Sequence, residues 1–133
     1  MLRKQISALP PWLPTAATLA LILWLTLSPD PLGDESPTFF PGADKVVHAL
    51  MFGFLAVMAM LDLQRSRNWR PLPPRAVVAA ALASALAGIA VEFAQLFMDM
   101  GRGFEVADMA ADAAGASACA GMWLLLQKRW SRP

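Results

Sequence analysis

The chain has 133 residues, of which 57% are hydrophobic and only 16% charged, and its net charge is +1. That balance is too apolar for a soluble domain of this length and predicts a single integral-membrane domain spanning residues 1–133. A lone cysteine, Cys119, excludes an internal disulfide and a cysteine-based metal cluster, and basic residues confined to segment ends, without interleaved aromatics, exclude a nucleic-acid partner.

Arg3 and Lys4 precede the first apolar run, as they would in a secretory signal. That run ends in LTLSPDP with no small-x-small cleavage site, so it reads as a retained transmembrane helix. Crossing a bilayer takes about 20 mostly apolar residues, and four segments qualify, near 12–28, 46–63, 76–98 and 105–126. All eleven prolines lie outside the helix interiors, only Pro14 entering a helix, in its first turn. The expected fold is therefore all-α, an integral-membrane four-helix bundle. SALAG at 84–88, AADAAG at 110–115 and SACAG at 117–121 repeat small residues at helical spacing, which predicts close packing between the third and fourth spans.

Basic residues are retained on the cytoplasmic side of short loops. Arg3 and Lys4, then Arg65, Arg67, Arg70 and Arg75, then Lys128, Arg129 and Arg132 fall on one side, leaving Lys45 and Arg102 of the eleven on the other. Both termini are thus expected in the cytoplasm, with Trp12, Trp69 and Trp130 at an inner aromatic belt. Of the acidic residues only Asp62 falls near the cytoplasmic end, so the unusual chemistry gathers at the outer face.

Four polar groups stand at helical spacing there. Asp44 and His48 in DKVVH are four apart, with Asp44 placed to cap or begin its helix. Glu92 and Gln95 in EFAQ are three apart on the third span. Asp108 and Asp112 are four apart on the fourth, and Gly115 and Cys119 continue their stripe. Arg102 lies in the turn between these two spans as the expected counter-charge for Glu92, Asp108 or Asp112.

Taken singly, each residue has an ordinary structural reading: a hydrogen-bonded histidine for His48, a helix cap for Asp44, solvated interface charges for Lys45 and Glu105. Several helices donating polar pairs to one level favour a shared, outward-opening pocket. Within it His48, Glu92, Asp108 and Asp112 offer nitrogen and oxygen donors to a divalent metal, although no two-histidine motif such as HExxH is present; no other cofactor is expected. His48 with a carboxylate also suits acid/base chemistry. No serine or cysteine nucleophile is evident, since Ser117 and Cys119 lie deep in the fourth span, and the lack of relay groups beyond Asp62 in the inner halves argues against ion conduction.

SPDP after the first span, DKVVH opening the second, EFAQ late in the third, and Arg102, Asp108 and Gly115 in the GRGFEVADMAADAAG stretch together resemble the VanZ-like family of small bacterial membrane proteins. The resemblance runs from about Ser28 to Gly121. Asp112 departs from it, standing where the family often carries Asn one turn after its aspartate. The family takes its name from an accessory protein associated with teicoplanin resistance in glycopeptide-resistance clusters. The resemblance implies an effect at the outer face of the bacterial cytoplasmic membrane and marks Asp44, Lys45, His48, Glu92, Gln95, Arg102, Asp108 and Gly115. The expected function is binding of a cell-envelope component, a membrane lipid head group or a lipid-linked cell-wall intermediate, with modulation of glycopeptide susceptibility as a consequence. Two alternatives use the same residues: a membrane enzyme acting on an envelope lipid, and a structural interaction protein whose polar network fixes helix register.

Overall fold

The computed structural model describes residues 2–29, 40–99 and 103–130, which contain five helices and no strand. They are α1 (Leu2–Ser7), α2 (Leu13–Leu27), α3 (Ala43–Ser66), α4 (Pro74–Met98) and α5 (Val106–Trp130). Proline marks two of the starts: Pro14 enters the first turn of α2, and Pro74 opens α4, positions where its missing N–H has no helical partner to lose. Gly42, at φ 83, turns the chain into α3. That left-handed conformation suits glycine because it has no Cβ to clash. Of the two roles its position suggests, cap or start of the helix, Asp44 therefore takes the second, Gly42 being the cap. It sits in the first turn of α3, where its charge still complements the helix dipole.

Three helices, α3, α4 and α5, are long and apolar enough to cross a membrane. The four-span expectation meets a shorter first helix, since α2 has 15 residues and rises roughly 22 Å against a hydrocarbon core of about 30 Å. The apolar surface is turned outward to match: Leu50, Phe54, Leu82, Leu86, Phe97 and Leu125 are all more than half exposed. In water such surface would drive association, whereas in lipid it is solvated.

Helix α5 packs chiefly against α3 and then against α4, while α2 lies on α3 and α4. The close packing expected between α4 and α5 is present, and the α3–α5 contact is more extensive still. Gly115 of α5 faces α3, and a Cβ there would run into the backbone of Ala49, 2.8 Å from its Cα. On α3, Gly53 answers it, with the Cys119 Sγ 3.0 Å from where its own Cβ would be. The two glycines let the backbones of α3 and α5 approach, the small-residue mechanism of helix association in lipid. Ser84 of the SALAG stretch is likewise directed to α3, donating to the Phe52 carbonyl at 2.6 Å.

Two apolar clusters fill the interior. Ala56, Met60, Leu72, Val77, Ala80, Ala116 and Ala120 occupy one end, and Ile22, Phe52, Leu55 and Val91 join α2 to α3 and α4. At the first end the helices are also tied by polar contacts. Asp62, almost fully buried, accepts from the Thr15 backbone N–H at 3.1 Å and hydroxyl at 2.6 Å, and from Arg65 Nη1 at 2.5 Å. An aspartate of α3 thus satisfies an orphan amide in the first turn of α2.

Candidate functional site

At the opposite end the starts of α3 and α5 meet the last turns of α4, and here the polar residues collect in two tiers. The outer tier is built around Lys45. Its ammonium lies 2.6 Å from Asp44 Oδ2 and 2.9 Å from Asp108 Oδ1, and it also pairs with Glu105 Oε2. Lys45 and Glu105 are therefore not simply solvated interface charges, because one cation gathers three carboxylates from α3, α5 and the residue preceding α5. Glu105 contributes a second time through its backbone, whose N–H donates to Glu92 Oε2 at 3.0 Å.

The inner tier is His48, Glu92, Asp108 and Asp112. The His48 and Asp112 side chains meet at 3.0 Å between Nδ1 and Oδ1, and His48 Nε2 is 3.7 Å from Asp108 Oδ2. Stacking against Phe52, with ring centroids 6.3 Å apart, helps to fix the imidazole plane. Glu92 and Asp112 are wholly buried, and Asp108 is 8% exposed. Gly88 makes room for Asp112: a Cβ on that glycine would come within 2.8 Å of the Asp112 Cβ and would also overlap Oδ2. Glu92 Oε1 and Asp112 Oδ2 have no hydrogen-bond partner among the described residues, an expensive condition for buried acceptors.

One donor atom each from His48, Glu92 and Asp108 lies within 4.8 Å of the other two, and so does one each from Asp44, Glu105 and Asp108. Either trio has the geometry to hold a metal ion. The outer one already surrounds the Lys45 ammonium. Chemically, the inner tier pairs an imidazole oriented by one carboxylate with two further carboxylates, an arrangement suited to ligating a cation or moving a proton.

Seven of the eight sequence-marked pocket residues fall among the described ones, and six of those, Asp44, Lys45, His48, Glu92, Asp108 and Asp112, form this network. Gln95 is buried but turns away from it, donating through Nε2 to the Thr26 carbonyl of α2 at 2.9 Å. Arg102, the expected counter-charge, lies outside the described residues. Sequence reasoning set Glu105 aside, and its position immediately before α5, opposite Glu92, is a signal visible only once the helix boundary is known. A second polar region was not anticipated. A cavity of about 430 Å³ at the Asp62 end is lined by Ser7, Trp12, Asp62, Arg65 and Trp69, with Trp69 Nε1 donating to Ser7 Oγ at 3.0 Å.

The sequence model of the VanZ/LLP1 family matches residues 6–127, nearly the whole chain. The chain belongs to this family. No curated protein and no solved structure matches it. As a VanZ/LLP1 member with three apolar helices of spanning length, it is a membrane protein.

Proposed function

We propose that this VanZ-like protein is a four-span helical bundle of the bacterial cytoplasmic membrane, with both termini in the cytoplasm, and that its two-tier cluster binds the polar head group of a cell-envelope component. The observation that carries the reading is the pairing of an accessible rim, Asp44, Lys45 and Glu105, with buried acceptors on Glu92 and Asp112 that have no donor among the described residues. Purely structural networks tend to be closed by their own partners. Here the unsatisfied acceptors lie behind a rim of charge, and a head group carrying ammonium, hydroxyl or amide donors would supply what they lack. Phospholipids and lipid-linked cell-wall intermediates both have such groups, and altered glycopeptide susceptibility is the cellular consequence proposed for the second.

Orientation rests on the charge distribution, with Arg65, Arg67, Arg70 and Arg75 around the α3–α4 turn. In this reading α2 completes a fourth crossing with help from its flanking residues, a short span being accommodated by local thinning of the bilayer.

Native mass spectrometry of the detergent-purified chain, with phosphatidylethanolamine, phosphatidylglycerol and an undecaprenyl-linked disaccharide-peptide as probes, tests the proposal. Selective retention of one probe, weakened at least about tenfold by Glu92→Gln or Lys45→Met, is expected. Equal retention of all three by the parent and both variants overturns it. A phosphatase fusion active at residue 70 would overturn the orientation.

A membrane enzyme is a second reading with its own observation. The Asp112 carboxylate on His48 Nδ1 leaves Nε2 directed toward Asp108, an orientation that suits proton transfer. Turnover of the retained probe, lost in His48→Gln while binding persists, would distinguish it.

A further inference from the structure

We infer that the inner tier is a divalent-cation site of the zinc type, with His48 Nε2, Glu92 and Asp108 as ligands and Asp112 as the group that orients the histidine. It goes beyond head-group binding and stands or falls separately from it.

The two acidic trios at this end differ in one respect. The outer one is centred on the Lys45 ammonium, which holds Asp44 and Asp108 at 2.6 and 2.9 Å and pairs with Glu105. The inner one, whose donor atoms lie within 4.8 Å of one another, meets a lysine only at its rim, where Lys45 reaches Asp108 Oδ1, and its Glu92 has no lysine or arginine in salt-bridge contact among the described residues. Burying carboxylates without a cation is costly in any protein and more so in a membrane. Glu92 sharpens the point. It is wholly buried, its Oε2 accepts the Glu105 amide, and its Oε1 is left without a partner among the described residues.

The histidine is set up as a ligand. A neutral imidazole that donates Nδ1–H to Asp112 Oδ1, 3.0 Å away, carries its lone pair on Nε2, and Nε2 is the nitrogen that faces Asp108 Oδ2. Carboxylate–histidine–metal arrays use this tautomer, because the outer carboxylate fixes the ring and raises its basicity. Asp112 thereby has a role separate from the three ligands. Its place on Nδ1 also accounts for a carboxylate rather than an amide, since the negative charge strengthens the imidazole donor. Asp108 divides its two oxygens, Oδ1 toward Lys45 and Oδ2 toward His48.

One nitrogen and two carboxylate oxygens fit zinc, which takes mixed N/O sets at bond lengths of about 2.0–2.2 Å. The donor atoms would close to roughly 3.3 Å apart in a tetrahedral site of that size, a contraction within reach of carboxylate torsions. Three protein ligands leave the fourth position for water or an oxygen of an incoming group.

The test counts zinc on the purified full chain. Protein stripped with chelator, dialysed against Zn²⁺ and then against metal-free buffer, is analysed by plasma mass spectrometry, and affinities are measured by competition with a chromophoric chelator. About one zinc per chain is expected in the parent and in Asp99→Asn, with at least a tenfold loss of affinity in His48→Gln and Glu92→Gln and a 10–100-fold loss in Asp112→Asn. Co²⁺ bound to the unsubstituted chain should give visible ligand-field absorption of a low-coordinate site, a readout that needs no variant to fold. Parent protein without stoichiometric zinc, or with zinc retained equally in the Glu92 and His48 variants, overturns the inference, as does Co²⁺ absorption no different from that of the aqueous ion. Zinc without head-group retention would leave this site standing and sink the proposed function, and the converse result would do the reverse.

Discussion

His48 of α3 and Asp112 of α5 meet at 3.0 Å, with the carboxylate wholly buried and no lysine or arginine in salt-bridge contact with it among the described residues. Asp112 is held there by geometry from a third helix, since α4 presents Gly88 where any side chain would occupy the space of the carboxylate. The pair thus joins the three long helices at one point, and substitutions of either partner separate charge, shape and packing.

Asp112→Ala should be among the most damaging single changes in the chain. It leaves His48 with a ring nitrogen buried and unpaired and opens a void beside Gly88, at a cost of about 3 kcal/mol, the order measured when one partner of a buried polar pair is removed. Asp112→Asn keeps the shape and an acceptor for Nδ1–H and should cost about 1 kcal/mol. Unfolding in detergent, followed for these variants, for His48→Ala and for the double variant, should give a coupling energy of about 1–3 kcal/mol. Additive effects would mean that the contact contributes nothing of its own.

Glycine positions give a prediction of opposite signs on one helix. Gly115→Ala puts a Cβ against the Ala49 backbone, where no side chain can rotate away, and should destabilise by about 2–3 kcal/mol. Gly121 has nothing within 4 Å of the corresponding position, so Gly121→Ala should stabilise by about 0.5–1 kcal/mol through backbone entropy. Thermal unfolding of the two variants in one detergent decides it.

That contrast also marks what the sequence could reveal. Hydropathy and proline placement located α3, α4 and α5 within a few residues, because lipid-spanning helices are dictated by composition over a long window. Span boundaries, the charge-based topology and the helical rise together put His48, Glu92, Asp108 and Asp112 at one level. Partner choice was not legible. Gly115 and Gly121 both lie in small-residue stretches, and only the rotation of α5 shows that the first meets α3. The role of Glu105 was hidden for a similar reason: its backbone N–H does the bonding to Glu92, and no side-chain pattern records that.

The Asp62 end offers a separate check on how α2 is held. Asp62→Ala removes the acceptor shared by Thr15 and Arg65 and leaves the guanidinium, among the described residues, with the Leu9 carbonyl at 2.8 Å. A loss of about 3 kcal/mol is expected, whereas Thr15→Val, which keeps the backbone N–H bond, should lose about 1 kcal/mol. Because α2 depends on this tie, the Asp62 variant should also expose α2 to proteolysis before α3–α5. Simultaneous cleavage of all helices would show that α2 is anchored elsewhere.

Lys45 yields a prediction about salt. Its ammonium is the one lysine or arginine charge among the described residues that contacts Asp44, Glu105 and Asp108 together, and its side chain is about a third exposed. Ions therefore reach the cluster and screen it, over roughly 8–10 Å at physiological strength. In the parent, screening weakens the attraction of Lys45 for three carboxylates as well as their mutual repulsion, so the unfolding temperature should be flat or fall slightly as NaCl is raised. Lys45→Met removes the attraction and leaves the repulsion. Its unfolding temperature should start lower and rise with NaCl, and adding Glu105→Gln should recover part of the loss at low salt by removing one of the repelling charges. Parallel salt dependences in parent and variant would show that the outer tier contributes no net electrostatic energy and that Lys45 acts there by packing alone.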